Sequence, residues 1–330
     1  MGVRLRQALI IAGPTCSGKS ALALALARRL GGTVINADAM QVYRELRVVT
    51  ARPTPDDEAV APHVLYGIRP VALAGDVAWW RAAALSALES APGLPILCGG
   101  TGLYFRALSH GLADIPPPQP AARAEARALL QSIGAPALHE RLMQVDPQTA
   151  GQLEPADGQR VGRAWEVFVS TGRGLAAWQS QPLTPLQGWR FTAIRLDPPR
   201  DALRSAISYR FAAMLQAGAL AEVAALLDQD LDPALPGMRA HGVPELSAHL
   251  RGEISLAEAA SRAIAATRRY TKRQTTWFRH HELADPTRTH IIHARIADMQ
   301  QLSESYLDNL IAFISNEHPE ADRKTVGDEC

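Results

Sequence analysis

Cysteine is scarce in this chain. Its three residues, Cys16, Cys98 and Cys330, lie too far apart for a metal-ligand spacing or a disulfide framework. That excludes a small disulfide-stapled scaffold and fits a reducing compartment, so the expected location is the cytoplasm. Neither sign of charge is in excess. Against 33 Asp and Glu stand 34 Lys and Arg, a net charge of +1, so bulk composition carries no signal for nucleic acid or a membrane surface. No apolar run approaches the roughly 20 residues of a membrane span, so no membrane partner is expected. The start, Met1-Gly2-Val3-Arg4-Leu5-Arg6, lacks a secretory apolar core and cleavage site. Repeats and low-complexity tracts are absent too. What is left is an ordinary hydrophobic fraction of 47% in 330 residues, enough for one large domain or two smaller ones. Nothing in it demands more than a monomer.

The most informative segment is Gly13-Pro14-Thr15-Cys16-Ser17-Gly18-Lys19-Ser20, which fits the phosphate-loop pattern G-x-x-x-x-G-K-[ST]. Apolar Ala8–Ala12 before it reads as a buried strand. The Ala/Leu run from Ala21 to Ala27 after it reads as a helix. A strand, a glycine loop and a helix start together make an anion site. Backbone N–H groups and the helix dipole favour negative charge, Lys19 adds a cation, and Ser20 offers a hydroxyl to Mg2+. The expected ligand is a diphosphate or a nucleotide, ATP included.

Strand-like Thr33–Asn36 and Leu94–Cys98 alternate with a helical pattern over Asp76–Ser90. That order predicts a parallel sheet, with ligands at the carboxyl ends of its strands. The prolines of Asp114–Pro120 mark a boundary. Helical segments follow at Ala121–Ile133, Pro136–Gln144 and Gln159–Thr171. A strand returns at Phe191–Leu196, then helices at about Asp201–Ala217, Leu220–Asp228 and Leu256–His280. The expected fold class is α/β, a P-loop NTPase-like parallel sheet core with an inserted, mainly helical domain. Its expected limits are 1–115 for the first part of the core and 116–185 for the insertion. The core and basic helices then take 186–315, and 316–330 is a flexible tail.

Three further features carry chemistry. Asp38, in Asn36–Arg44, follows the second strand. It could be a magnesium ligand, a helix N-cap or a general base, and its place beside a phosphate loop favours the base. Gly99-Gly100-Thr101-Gly102 ends the next strand without an acid, which weakens a motor-ATPase reading. Those glycines suit a close backbone approach to a ligand or a tight turn. The last helix interleaves Arg268, Arg269, Lys272, Arg273 and Arg279 with Tyr270, Trp277 and Phe278. This is either a solvated face or a phosphate-and-base contact surface. A second basic cluster, Gln159-Arg160-Val161-Gly162-Arg163, lies in the insertion.

Together these motifs resemble the tRNA dimethylallyltransferase (tRNA isopentenyltransferase) family. They run in order: Gly13–Ser20, Asn36–Tyr43, Thr50–Pro55, Gly99–Tyr104, Asp157–Val167 and Lys272–Phe278. The resemblance reaches from the first strand to about His281. It implies transfer of a dimethylallyl group from dimethylallyl diphosphate to N6 of the adenine 3′ of the anticodon, with Mg2+. Asp38 would be the base. Thr15, Lys19 and, on a later helix, Arg210 would serve the diphosphate. The tRNA anticodon stem-loop would meet Asp38, Ala39, Met40, Gln41, Thr101, Arg123, Gln159–Arg163, Lys272 and Arg273. The insertion would grip the anticodon stem. The chain departs from the family at Ala39, usually serine, and at Gly162, usually arginine. Cys16 and Ser20 stand for alanine and threonine, and Met238–Glu245 lacks the family's Gly-Tyr-Arg-Gln. Other readings are a P-loop small-molecule kinase, a non-catalytic RNA-binding protein and an adenylate isopentenyltransferase.

Overall fold

The structure, a computed structural model, describes residues 5–315. The expected tail at 316–330, with Cys330, lies outside the described residues. The chain divides into two compact units, described residues up to Ser109 with those from Leu186 onward, and His110–Pro185.

The first unit is built on strand β1 (Arg6–Ala12), followed by helix α1 (Lys19–Leu30), β2 (Thr33–Asn36), α2 (Pro55–Val60), β3 (His63–Val64), α3 (Val77–Ser90), β4 (Pro95–Gly99) and α4 (Gly102–Ser109). All six strands of its sheet are parallel, in the order β3-β2-β4-β1-β5-β6. Ala8–Ala12 are buried on both sides because parallel sheets are covered by helices on both faces. Alternation then sorts them. Ala8, Ile10 and Ala12 join one core layer, and Leu9 and Ile11 join the layer under α1. β1 sits centrally, pairing β4 through Ile11↔Cys98 and β5 through Ala12↔Arg195. The chain runs from β1 to β2 on one side and later to β5 on the other. This reversal opens a crevice at the strand ends, where the phosphate loop leaves β1.

In the second unit the helices are α5 (Pro120–Ser132), α6 (Gly134–Val145), α7 (Pro147–Ala150), α8 (Gly158–Thr171) and α9 (Leu175–Gln179). Leu138, Leu142, Ala150, Val161, Ala164 and Val167 make its interior. Back in the first unit come β5 (Trp189–Leu196), α10 (Arg200–Gln216), α11 (Ala219–Leu227), α12 (Val243–Leu250), α13 (Leu256–His280), β6 (Thr289–Ile292) and α14 (Glu304–Ser315). The Ser255 hydroxyl accepts the Glu258 N–H at 3.1 Å and starts α13, whose ends match the sequence pattern. The edge strands β3 and β6 and the helices α12 and α14 were not evident in the sequence. β3 has only two residues, and Thr289-His290 makes β6 look polar. No single described helix is long and apolar enough to cross a membrane.

Candidate active site at the carboxyl ends of the strands

The phosphate loop joins β1 to α1. Ser17 N–H donates to the Pro14 carbonyl at 3.1 Å, and left-handed residues at Cys16 (φ 67°) and Gly18 (φ 97°) curl the backbone. Such a run makes successive amides converge on an anion. Gly18 cannot be replaced, since a Cβ there would stand 1.9 Å from the Ile296 carbonyl oxygen. From outside, Ile296 N–H donates to Ser17 O at 3.1 Å and Arg295 Nε to Cys16 O at 3.0 Å. Lys19 is only 8% exposed, yet no hydrogen bond or ion pair to a described residue engages its ammonium. A lysine packed this way, with no protein partner for its charge, leaves that charge available to an anion. Ser20 follows it, exposed at the helix start.

Asp38 is held by the residues around the end of β2. Asn36 Oδ1 accepts Asp38 N–H at 2.8 Å, and its Nδ2 donates to Asp38 O and Leu65 O, each at 3.1 Å. Buried Trp80 fixes Asn36 in turn, its Nε1 donating to Asn36 O at 2.8 Å. Asp38 Oδ1 accepts Met40 N–H at 3.0 Å, and the other carboxylate oxygen takes no hydrogen bond from a described residue. The N-cap alternative for Asp38 is not met. Residues 39–42 form a turn, and the next helix starts at Pro55. Thr101 Oγ1 accepts Ala39 N–H at 2.9 Å and so joins the Asp38 loop to the end of β4.

The glycines at the end of β4 and just after it are needed for close packing against protein. A Cβ at Gly99 would lie 2.0 Å from Ala37 O, at Gly100 2.2 Å from Gln274 Nε2, and at Gly102 2.1 Å from the Trp277 ring. Gln274 and Trp277 come from α13. Buried Gln274 accepts Thr15 N–H at 2.9 Å and donates to Gly100 O at 2.9 Å. Tyr270, one turn earlier, carries the His241 ring at 4.9 Å and the Arg273 guanidinium at 5.5 Å. Burial, then the Asp38 charge, push the Tyr270 phenol up. Tyr104 and Tyr66 are raised by burial too, with Asp38 a further cause. Burial pushes the Cys98 thiol up to about 11, against Lys19, whose charge pulls it down.

The structure brings Gly13–Ser20, Asp38–Gln41 and Thr101 to one end of the sheet. Arg210 Nη2 donates to Thr50 O at 3.1 Å, and Gln41 Nε2 donates to the same oxygen at 2.9 Å. Arg210 is thus tied to the Asp38 loop through one carbonyl. Lys272 and Arg273 are exposed on α13. Arg279 is not free for a ligand, because Asp197 takes its Nε and Nη2 at 3.0 Å each. In the helical unit, Arg123, Gln159 and Arg160 are exposed and Arg163 pairs with Glu166 at 3.5 Å. Two expected tRNA contacts there are corrected. Val161 is 0% exposed, and Gly162 is buried on the face of α8 packed against Leu130, where a Cβ would meet Cδ1 at 2.8 Å. Neither presents a side chain to a ligand. Reading the residues assigned no role to Asn36, Tyr66, Glu222, His241 or Gln274, and placed Tyr270 only among the aromatics of the basic helix. The only signal was the i, i+4 spacing of Tyr270 and Gln274, which puts them on one helix face.

A phosphate loop facing a strand-end carboxylate, with no acid closing β4, defines a phosphate-handling α/β enzyme of the transferase kind. The family described as IPP transferase matches residues 41–281, and isopentenyl transferase matches residues 6–63. The chain belongs to the IPP transferase family. It is 59% identical to the tRNA dimethylallyltransferase of Granulibacter bethesdensis, covering 95% of this chain and 99% of that one. It is 61% identical to the one from Acidiphilium cryptum, covering 94% and 95%. Among solved structures, the tRNA isopentenylpyrophosphate transferase of Bacillus halodurans matches with TM-score 0.64 and 30% identity over 94% of this chain and 96% of that one. A eukaryotic dimethylallyltransferase acting on tRNA shares the fold, at TM-score 0.77 and 24% identity over 96% and 82%. These relatives do not favour a small-molecule kinase.

Proposed function

We propose that the chain transfers a dimethylallyl group from dimethylallyl diphosphate to N6 of the adenine 3′-adjacent to the anticodon in tRNA. The products are N6-(dimethylallyl)adenosine and diphosphate. One observation carries this reading beyond family membership: an unpaired, buried Lys19 and a half-anchored Asp38 at the same strand ends. They supply an anion site and a base to one crevice.

The adenine amine is a poor nucleophile because its lone pair is delocalised into the ring. As its nitrogen bonds to the allylic carbon, the carbon–oxygen bond to diphosphate breaks and the unanchored oxygen of Asp38 takes the amine proton. Negative charge then grows on the leaving diphosphate. Lys19 and the loop amides from Gly13 to Ser20 stabilise it, with Thr15 and Arg210 beside them. No group of three or more His, Cys, Asp or Glu side chains among the described residues could hold a metal by itself. The exposed Ser20 hydroxyl fits one protein ligand of Mg2+ whose other ligands are diphosphate oxygens and water. A bound Mg2+ would supply further charge neutralisation there.

The target base must leave its stack to reach Asp38. Met40, Gln41, Thr101 and the Ala39 backbone would meet it. Lys272 and Arg273 would hold tRNA phosphates, as would Arg123, Gln159, Arg160 and Arg163 of the helical unit. The enzyme would act as a cytoplasmic monomer.

The test uses purified protein, Mg2+, labelled dimethylallyl diphosphate and unmodified bulk tRNA. Label recovered as N6-prenyladenosine supports the reading. Consumption of ATP with small nucleosides or sugars, and no transfer, overturns it. Asp38→Ala should bind both substrates yet lose about 10²–10⁴-fold in turnover. Turnover near wild type would remove Asp38 as the base.

A further inference from the structure

We propose that Gln274 is a positioning residue that sets the spacing between the leaving-group site and the base. The inference rests on the proposed function and adds a residue to which that function gave no role. Gln274 is buried on α13, and both ends of its amide are engaged. Oε1 accepts the Thr15 N–H of the phosphate loop at 2.9 Å, and Nε2 donates to Gly100 O at 2.9 Å. The next residue, Thr101, accepts Ala39 N–H at 2.9 Å, and Met40 N–H binds the Asp38 carboxylate at 3.0 Å. A single amide therefore spans from the phosphate loop to the strap that carries Asp38.

The anchor itself is fixed. Beyond Gln274, Arg195 Nη1 donates to Phe278 O at 2.6 Å and Asp197 pairs with Arg279. These bonds tie the end of α13 to β5, which is paired along β1, the strand that leads into the loop. The close approach at Gly100 leaves no room for a longer span, since a Cβ there would be 2.2 Å from Gln274 Nε2. Lys272 and Arg273, the two residues before it, are exposed. Gln274 turns inward while these two face solvent. Reactivity falls steeply with misplacement, about 10²-fold for 1 Å. Losing the span should therefore affect turnover and donor binding without affecting tRNA capture.

Gln274→Met keeps the length and removes both hydrogen bonds. We expect kcat to fall 10- to 100-fold and the KM for dimethylallyl diphosphate to rise at least fivefold. The KM for tRNA should stay within twofold. Gly100→Ala, which displaces Nε2 with Gln274 still present, should give the same pattern. Binding of inorganic diphosphate with Mg2+, measured by titration calorimetry, provides a readout apart from turnover. It should weaken at least fivefold in both variants. Weakened diphosphate binding in the variants, when the wild type itself transfers no prenyl group, would keep the span and defeat the proposed reaction instead. A donor KM and diphosphate affinity unchanged in Gln274→Met overturn the span. So does a rise in both KM values together, which marks a general loss of structure. Should Gln274→Met fail to fold, Gln274→Glu decides. It keeps the acceptor for Thr15 but sets a carboxylate against Gly100 O, and unchanged diphosphate binding there overturns the proposal.

Discussion

Replacing Glu222 by glutamine exchanges one oxygen for an amide nitrogen and should still loosen the wall behind Asp38. Glu222 lies in the first turn of α11, where a carboxylate favours the helix dipole. Its main work is elsewhere. Oε2 accepts Arg47 N–H at 2.8 Å and Val48 N–H at 2.7 Å, and Oε1 accepts Val49 N–H at 2.9 Å. Three consecutive amides converge on one carboxylate. Glutamine has a single oxygen, so its NH2 group must face at least one of these donors. A hydrogen bond to a charged group contributes about 1.5–3 kcal/mol. Glu222 is partly exposed, and water compensates some of the loss. We therefore expect about 1–2 kcal/mol for Glu222→Gln and about 2–4 kcal/mol for Glu222→Ala. For a chain of this size that is a fall in Tm of about 1–4 °C for the glutamine variant. The loop ends in Thr50, whose carbonyl takes both Gln41 and Arg210. Loosening it should raise the KM for tRNA as well. Calorimetric melting and steady-state kinetics on the same preparation test both. Melting within about 0.5 kcal/mol of wild type for Glu222→Gln, an ordinary surface effect, would refute the three-amide anchor.

The same reasoning gives three shorter predictions. Gly162→Arg restores the family's usual residue on the buried face of α8, so it should destabilise by about 1–3 kcal/mol through overpacking against Leu130 and gain no tRNA affinity; tighter tRNA binding would refute this. Arg273→Ala should weaken tRNA binding and flatten its salt dependence by about one unit of slope, and an unchanged slope would count against a phosphate contact. Burial holds the His241 imidazole low; Glu245 and Asp38 oppose that shift, while Arg273 and Arg269 reinforce it. The unfolded chain therefore takes the proton first, and His241's contribution is whole above pH about 6.5 and lost as pH falls from there toward the folded value. His241→Gln should remove that part of the loss in a pH series of melting temperatures, and equal slopes in both proteins would refute it.

Where one element settles its own structure, the sequence was legible. Ala8–Ala12 is apolar at every position, and glycines in a fixed pattern force the phosphate loop. The long helical pattern places α13 at about Leu256–His280, where the structure has it. Legibility ends where a neighbour decides. His63-Val64 becomes a strand only because β2 offers an edge. Gly99–Gly102 announced a close approach, but only the packed structure shows that Ala37, Gln274 and Trp277 are the things approached. Val161 and Gly162 sit in a basic stretch, yet the turn of α8 points them inward. Glu222 reads as an ordinary first-turn acid because its three partners lie far away in sequence.

Burial also answers why Asp38 should be the base in a crevice that holds so many titratable groups. Its charge is felt at Tyr66, Cys98, Tyr104, His241 and Tyr270. Burial is the largest cause at each, and in each it favours the neutral form. The three phenols and the thiol are pushed up, the thiol to about 11, and the imidazole is pushed down. All five shifts thus act toward the uncharged form at neutral pH. A phenol or thiol holding its proton accepts poorly, and the His241 ring lies against Tyr270. On the proposed reaction, the desolvation that silences these five groups would leave the Asp38 carboxylate as the acceptor. It would also keep the diphosphate's developing charge in a place where loop amides act more strongly than in water. A substitution that opens this wall to water, such as Trp80→Ala behind Asn36, should therefore reduce turnover more than its effect on tRNA binding would suggest.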